Sequence, residues 1–428
     1  MTFIHFDEAK TAASQIVREW LKHSEDVCKA LIIGDLAGRL RLILWQHDEV
    51  DVTALIESLS EQCGTWWSGE ILYADRLDNV TAEIWQRAWY EGRHDASDPR
   101  LRILDRHRSR TGWFLDSPTP IWSAAEGTIV VVFYSFKGGL GRSTVLTSFA
   151  LQRAQAGDRV CVLDFDLDSP GVGHILSADA EGTTARWGIV DFLLEHGMPN
   201  APLDDYFHRC DRVAGPGEVI VFPSGTLDET YADKLARVDI EESPVGTDAG
   251  IGTLLRRIRN ELRPAWILLD ARTGISESAG QLLSGVGHIH ILLGTDQEQS
   301  WTGLNRVLDR FGKDRVAVNQ SQLDLILVHA MVPAGPAGDV SVAQFSNRAE
   351  REFTDRYYVE ASDNPDEKFW DVGDIDSRDA PHVAIPINYD QRLAAFRDVV
   401  EIVDILAAVP YSSLGERIGA QFDSERDA

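Results

Sequence analysis

The chain has 428 residues, 44% of them hydrophobic, enough for two or three domains with well-buried cores. Lysine and arginine number 41 against 68 aspartates and glutamates, a formal net charge of −27. A surface this acidic argues against nonspecific DNA binding and against docking on anionic membranes, although a local basic patch stays possible.

In chain order, residues 1–114 read as a small α+β domain. Ala9, Ala13, Ile16 and Trp20 recur at helical spacing, 40–45 is a short strand with arginine interleaved, and 52–59 is helical. Residues 70–73 form a second strand, and Trp85 and Trp89 share the face of another helix. Arg100, Arg102, Arg106, Arg108 and Arg110 follow, either a solvated face or a docking patch for an acidic partner. Residues 115–127, LDSPTPIWSAAEG, hold two prolines and small residues and are read as a linker.

From 128 onwards apolar strand-like runs alternate with amphipathic stretches. The runs are 128–134, 159–165, 218–223, 265–270, 288–294, 323–329 and 382–387; the helical stretches include 143–156, 250–262, 301–311 and 391–407. Continuous β-branched runs separated by helices mean parallel strands buried on both faces, so 128–428 is expected to be a doubly wound, mostly parallel α/β sheet. The acidic tail after Gln421 is expected to fray. Cys28, Cys63, Cys161 and Cys210 are widely spaced and make no C-x-x-C pair, so neither a disulfide framework nor a zinc site follows. No window reaches the ~18 consecutive apolar residues a membrane span needs. A cytoplasmic protein is expected.

Strand 128–134 runs into Ser135-Phe136-Lys137-Gly138-Gly139-Leu140-Gly141-Arg142-Ser143-Thr144 and then into a helix. Glycines at 138, 139 and 141 let successive N–H groups curl around an anion, and the helix adds the positive end of its dipole. Ser143 supplies a hydroxyl suited to Mg²⁺ or to a β-phosphate. Strand 159–165 leads into Asp164-Phe165-Asp166-Leu167-Asp168, and run 265–270 ends in Asp270, where carboxylates beside a phosphate cradle manage metal and water.

The loop is not the ordinary G-x-x-x-x-G-K-[ST] sequence, because Phe136 stands at its first glycine. It resembles the deviant Walker A loop, K-G-G-x-G-K-[ST], of the ParA/MinD-type ATPases, in the subgroup with K-G-G-x-G-R. Further segments, 187–197, 219–225, 294–303 and the D-x-R-T-G sequence at 270–274, extend the resemblance over about 125–410, leaving the N-terminal domain outside it. The resemblance implies a SIMIBI-like P-loop NTPase that binds ATP and Mg²⁺ through Gly138, Gly139, Leu140, Gly141, Arg142, Ser143 and Thr144. It implies that Lys137 crosses a nucleotide-sandwich homodimer to the partner's phosphates, that Asp166 orients the attacking water, and that Ser143, Asp164 and Asp270 serve the metal. Arg142 replaces the usual loop lysine, so its forked guanidinium stands where a compact ammonium is expected and makes turnover the open question. On the base side, Asn388 and Tyr389 match the family's second adenine loop, while His329 stands near the place of its asparagine. His329 reads either as a base contact or as a satisfied strand-end histidine.

The expected function is an ATP-dependent switch coupling slow hydrolysis to dimerisation and to a protein partner bound through 1–114. Relatives of this kind suggest regulation of an effector in a multi-gene bacterial system. The alternative is a nucleotide-sensing scaffold with little turnover.

Overall fold

The computed structural model describes residues 4–24, 26–46, 50–76, 79–107, 113–114, 120–195, 202–238, 250–317, 320–360 and 369–426. The chain forms two compact units, Met1–Ser109 and Arg110–Ala428.

In the first unit, helix Phe6–Leu21 buries Ala9, Ala13, Val17 and Leu21, one stripe at four-residue spacing. It lies with helix Thr53–Cys63 on a sheet of β1 (Val27–Gly34), β2 (Leu40–Gln46), β3 (Trp67–Tyr73), β4 (Arg93–His94) and β5 (Leu101–Asp105), in the order β3-β2-β1-β5-β4. Strands β1 and β2 pair antiparallel, β1 and β5 parallel. Neither β1 nor β5 was foreseen. β5 lies inside the arginine run: the Arg102 guanidinium stacks 4.7 Å from the Trp89 ring and donates to the Trp89 carbonyl at 2.7 Å. Arg100 pairs with Asp98 at 2.9 Å. Both arginines therefore hold the fold, while Arg108 and Arg110 lie outside the described residues.

The second unit is built on β6 (Ile129–Ser135), β7 (Arg159–Phe165), β8 (His208–Arg209), β9 (Glu218–Phe222), β10 (Trp266–Ala271), β11 (Ile289–Gly294), β12 (Leu325–Val332) and β13 (Ile385–Asn388), in the order β13-β12-β11-β6-β10-β7-β9-β8. All neighbours pair parallel except the short β8, which runs antiparallel to β9. Each of the expected apolar runs is one of these strands. β6 is buried along its whole length, with Val130, Val132 and Tyr134 in one apolar layer and Ile129, Val131 and Phe133 in the other. That is a doubly wound α/β sheet, with its strand ends gathered where β6, β7 and β10 lie side by side.

The stretch 391–407 is broken, not one helix. Asp390 and Asp398 cap short 3₁₀ turns at Gln391–Ala394 and Val399–Ile402, and only Val403–Leu406 is α-helical. Helix Tyr411–Arg426 continues through the tail expected to fray. Among the described residues no helix is long and apolar enough to cross a membrane.

Candidate functional site

β6 delivers the glycine loop to helix Arg142–Gln155. Gly139 and Gly141 have φ of +76° and +80°, and Gly141 caps the helix. Space is open around both positions, so it is the left-handed backbone that calls for glycine there. The first N–H groups of a helix lack intrahelical partners and carry its positive dipole end, an anion site by construction. Phe136, in place of the loop's first glycine, is seated on helix Glu298–Phe311 at Gly303, where a Cβ would fall 1.8 Å from the ring. Lys137 donates to Gln297 Oε1 at 2.5 Å, the residue capping that same helix.

Parallel pairing sets Asp270 of β10 opposite Asp164 of β7 at the ends of their strands. Arg142 is 7% exposed, and its guanidinium bridges two carboxylates: Nε donates to Asp270 Oδ1, and one terminal nitrogen donates to Asp166 Oδ2 at 2.8 Å. Its Nη1 is buried with no hydrogen-bond partner. Ser143 Oγ donates to Asp270 Oδ2 at 2.6 Å. Asp164 accepts the backbone N–H groups of Gly171 and Gly173, at 3.0 and 3.4 Å, and of Asp166 at 3.3 Å. Burial and the neighbouring Asp270 charge push the Asp164 carboxyl up to about 7. Burial also raises Asp270, against the pull of Arg142 and Ser143. Asp168 is paired with Arg272 of the D-x-R-T-G sequence.

This donor set fits magnesium through two residues. A Ser143 hydroxyl that donates to Asp270 keeps its lone pairs for a cation, and Asp270 would hold that cation's water. The ion would screen charge on a transferring phosphoryl group. Asp164 stands apart, its oxygens committed to backbone N–H groups.

On the other side of the loop, Gly139, Gly141, Thr144, Asn388, Tyr389 and Tyr411 line a cavity of about 210 Å³. Met331 also lines it, at φ +59°, where the β12–β13 register shifts between His329 and Val332. Such a bulge re-aims a side chain beside a site. His329 does not join this cavity. Its ring stacks on Phe345 at 4.1 Å and its Nε2 lies 3.3 Å from Asp296, while its buried Nδ1 has no hydrogen-bond partner among the described residues. Sequence reasoning missed Met331, Tyr411 and Gln297, and only the bulge, invisible in one sequence, brings in Met331.

A parallel sheet, a glycine loop opening a helix and an aspartate ending the adjacent strand define a P-loop NTPase domain. Residues 126–196 match the sequence model of the ParA family, described as the NUBPL iron-transfer P-loop NTPase. The segment 126–196, from just before β6 past the end of β7, is that of a ParA-family P-loop NTPase.

Among curated proteins, the cytosolic Fe-S cluster assembly factor CFD1 of Chaetomium globosum is 38% identical over 72 residues, 17% of this chain and 24% of that one. The Nubp2 homolog of Drosophila ananassae, also a cytosolic Fe-S cluster assembly factor, is 46% identical over 50 residues, 12% and 19% of the two chains. The chain thus spans about a quarter or less of the length of these relatives. A ParA family ATPase from Chlorobium tepidum aligns over 70% of this chain and 98% of its own at 15% identity and a TM-score of 0.44. For pNOB8 ParA, solved bound to nonspecific DNA, the shares are 70% and 99%, the identity 14% and the TM-score 0.45. The expectations that nonspecific DNA binding is unlikely and that the chain regulates an effector of a bacterial system are not supported by these likenesses.

An iron–sulfur cluster does not fit this chain's own thiols. Such clusters are held by sets of cysteine thiolates. Cys63, Cys161 and Cys210 are buried, with burial raising Cys63 and Cys210 to about 11 and Cys161 higher, and only Cys28 is exposed.

Proposed function

We propose that the second unit is an ATP-dependent switch: it binds ATP in the 136–144 loop, closes as a homodimer through Lys137, and hydrolyses the nucleotide slowly. The observation that carries this reading is the buried Arg142 guanidinium. Two of its nitrogens are tied to Asp166 and Asp270, and Nη1, on the first residue of the helix that follows the glycine loop, is left without a hydrogen-bond partner. An orphaned buried donor is costly, and a phosphate oxygen would satisfy it. The base would lie in the cavity beside Tyr389 and Asn388, with Tyr389, 53% exposed, placed to stack on it. Lys137, parked on Gln297, would be released to a second copy on closure, and the first unit would take the protein partner. The curated relatives act in Fe-S cluster assembly by name; for this chain an assembly role would be one of switching, without carrying the cluster on its own cysteines.

Calorimetry with ATP, ADP and GTP, with and without magnesium, tests the binding, and steady-state phosphate release with a Lys137→Ala control tests the turnover. The absence of heat with every nucleotide overturns the proposal. A second reading, a nucleotide sensor with little turnover, is favoured by the engagement of Asp166 with Arg142, which occupies one oxygen of the carboxylate that would orient water. Tight binding without phosphate release selects it.

A further inference from the structure

Four residues beyond Ser109, where the first unit ends, the chain sets Trp113 against the loop that follows Asp270. Its indole N–H donates to the Ser276 carbonyl at 2.6 Å. Its ring lies on helix Glu277–Leu282 at Gly280, where a Cβ would fall 2.5 Å from Cδ1 and 2.8 Å from Nε1. It also meets the Tyr134 ring edge-on at 6.3 Å, and the Tyr134 hydroxyl donates to the Gly274 carbonyl at 3.1 Å. One side chain thus touches the strand that delivers the glycine loop and the segment that leaves the Asp270 strand.

We infer that Trp113 is a positioning residue for the nucleotide site, clamping the 273–280 segment to the strand that delivers the glycine loop. The inference rests on the nucleotide reading for its purpose, though not for its geometry. Three features carry it. Arg272, Thr273 and residues 275–278 line a cavity of about 360 Å³ with Leu167 and Asp168, so packing leaves that segment room to shift. The indole bond engages a backbone carbonyl, so it fixes the main chain regardless of side-chain rotamers. And Gly280 gives up helix propensity, about 1 kcal/mol relative to alanine, to a close approach that only glycine allows.

Hydrogen exchange on the full chain without nucleotide tests the clamp directly. Trp113→Ala is expected to speed exchange of 273–282 at least tenfold while β12 is unchanged. Trp113→Phe, which keeps a ring and loses the N–H, should fall between. Gly280→Ala raises helix propensity, yet it should also speed exchange of 273–276 by pushing the indole away. Nucleotide affinity, measured by calorimetry, should weaken about tenfold in Trp113→Ala and recover in part in Trp113→Phe. Unchanged exchange at 273–282 in a folded Trp113→Ala protein overturns the inference, as does acceleration spread evenly over the second unit. If the wild type binds no nucleotide, the reading of the site fails while the exchange result still decides the clamp.

Discussion

Arg142 concentrates the electrostatics of the site. A guanidinium buried between two carboxylates is costly to desolvate, and removing one partner strands the others. Arg142→Ala is expected to lower the urea-unfolding stability of the nucleotide-free protein by about 3–5 kcal/mol; an unchanged midpoint would show the pair to be dispensable. At this scale the sequence was informative where chemistry is local. Gly139, Gly141, Arg142, Ser143 and Asp270 were all legible from the order strand, loop, helix and the apolar run ending in aspartate, and they meet. Asp164 and His329 were harder. Both have the chemistry of site residues, but Asp164 faces backbone N–H groups of the segment that follows it, and His329 faces the ring of Phe345 on another element.

Strands and helices set the next level. Every long strand of the second unit was legible because burial on both faces writes a continuous apolar run. β1 and β5 were not, since Lys29 interrupts one and Arg102 the other, their charged ends lying over the Trp89 indole. Stretch 391–407 has helical periodicity, yet Asp390 and Asp398 capture backbone N–H groups and break it into turns. Two elements give tests. Gly303→Ala should displace Phe136, destabilise the unit by about 1–3 kcal/mol and weaken nucleotide affinity, read by thermal unfolding and calorimetry. His290 on β11 is fully buried beside Phe311, and burial lowers its imidazole to about 4. The neutral ring is the one the fold accepts, so its contribution is complete above about 6.5 and is lost as pH falls towards about 4. The melting temperature should drop over that interval, and His290→Leu should flatten the drop; parallel profiles would rule out His290 as its source.

For the molecule as a whole, the closing step is the proposed use of Lys137 by a second copy. With ATP, the Asp166→Ala variant should move towards dimer mass in light scattering, and adding Lys137→Ala should return it to the monomer; a mass indifferent to ATP would discard the sandwich. The division at Ser109 places the first unit outside the matched 126–196 segment, so what it recognises had no signature in the sequence beyond its arginines, two of which serve its own sheet.

Phe136 and Lys137 are consecutive, and both are secured to helix Glu298–Phe311, one at Gly303 and the other at its cap. That helix is in turn fastened by Glu298 to Arg348, through bonds of 2.7 and 3.0 Å, on helix Pro336–Arg356. The entrance of the cradle is therefore geared to two long rods. An incoming polyphosphate that reshapes it must turn them as well, so capture should proceed more slowly than collision, at the tempo of shifting helices.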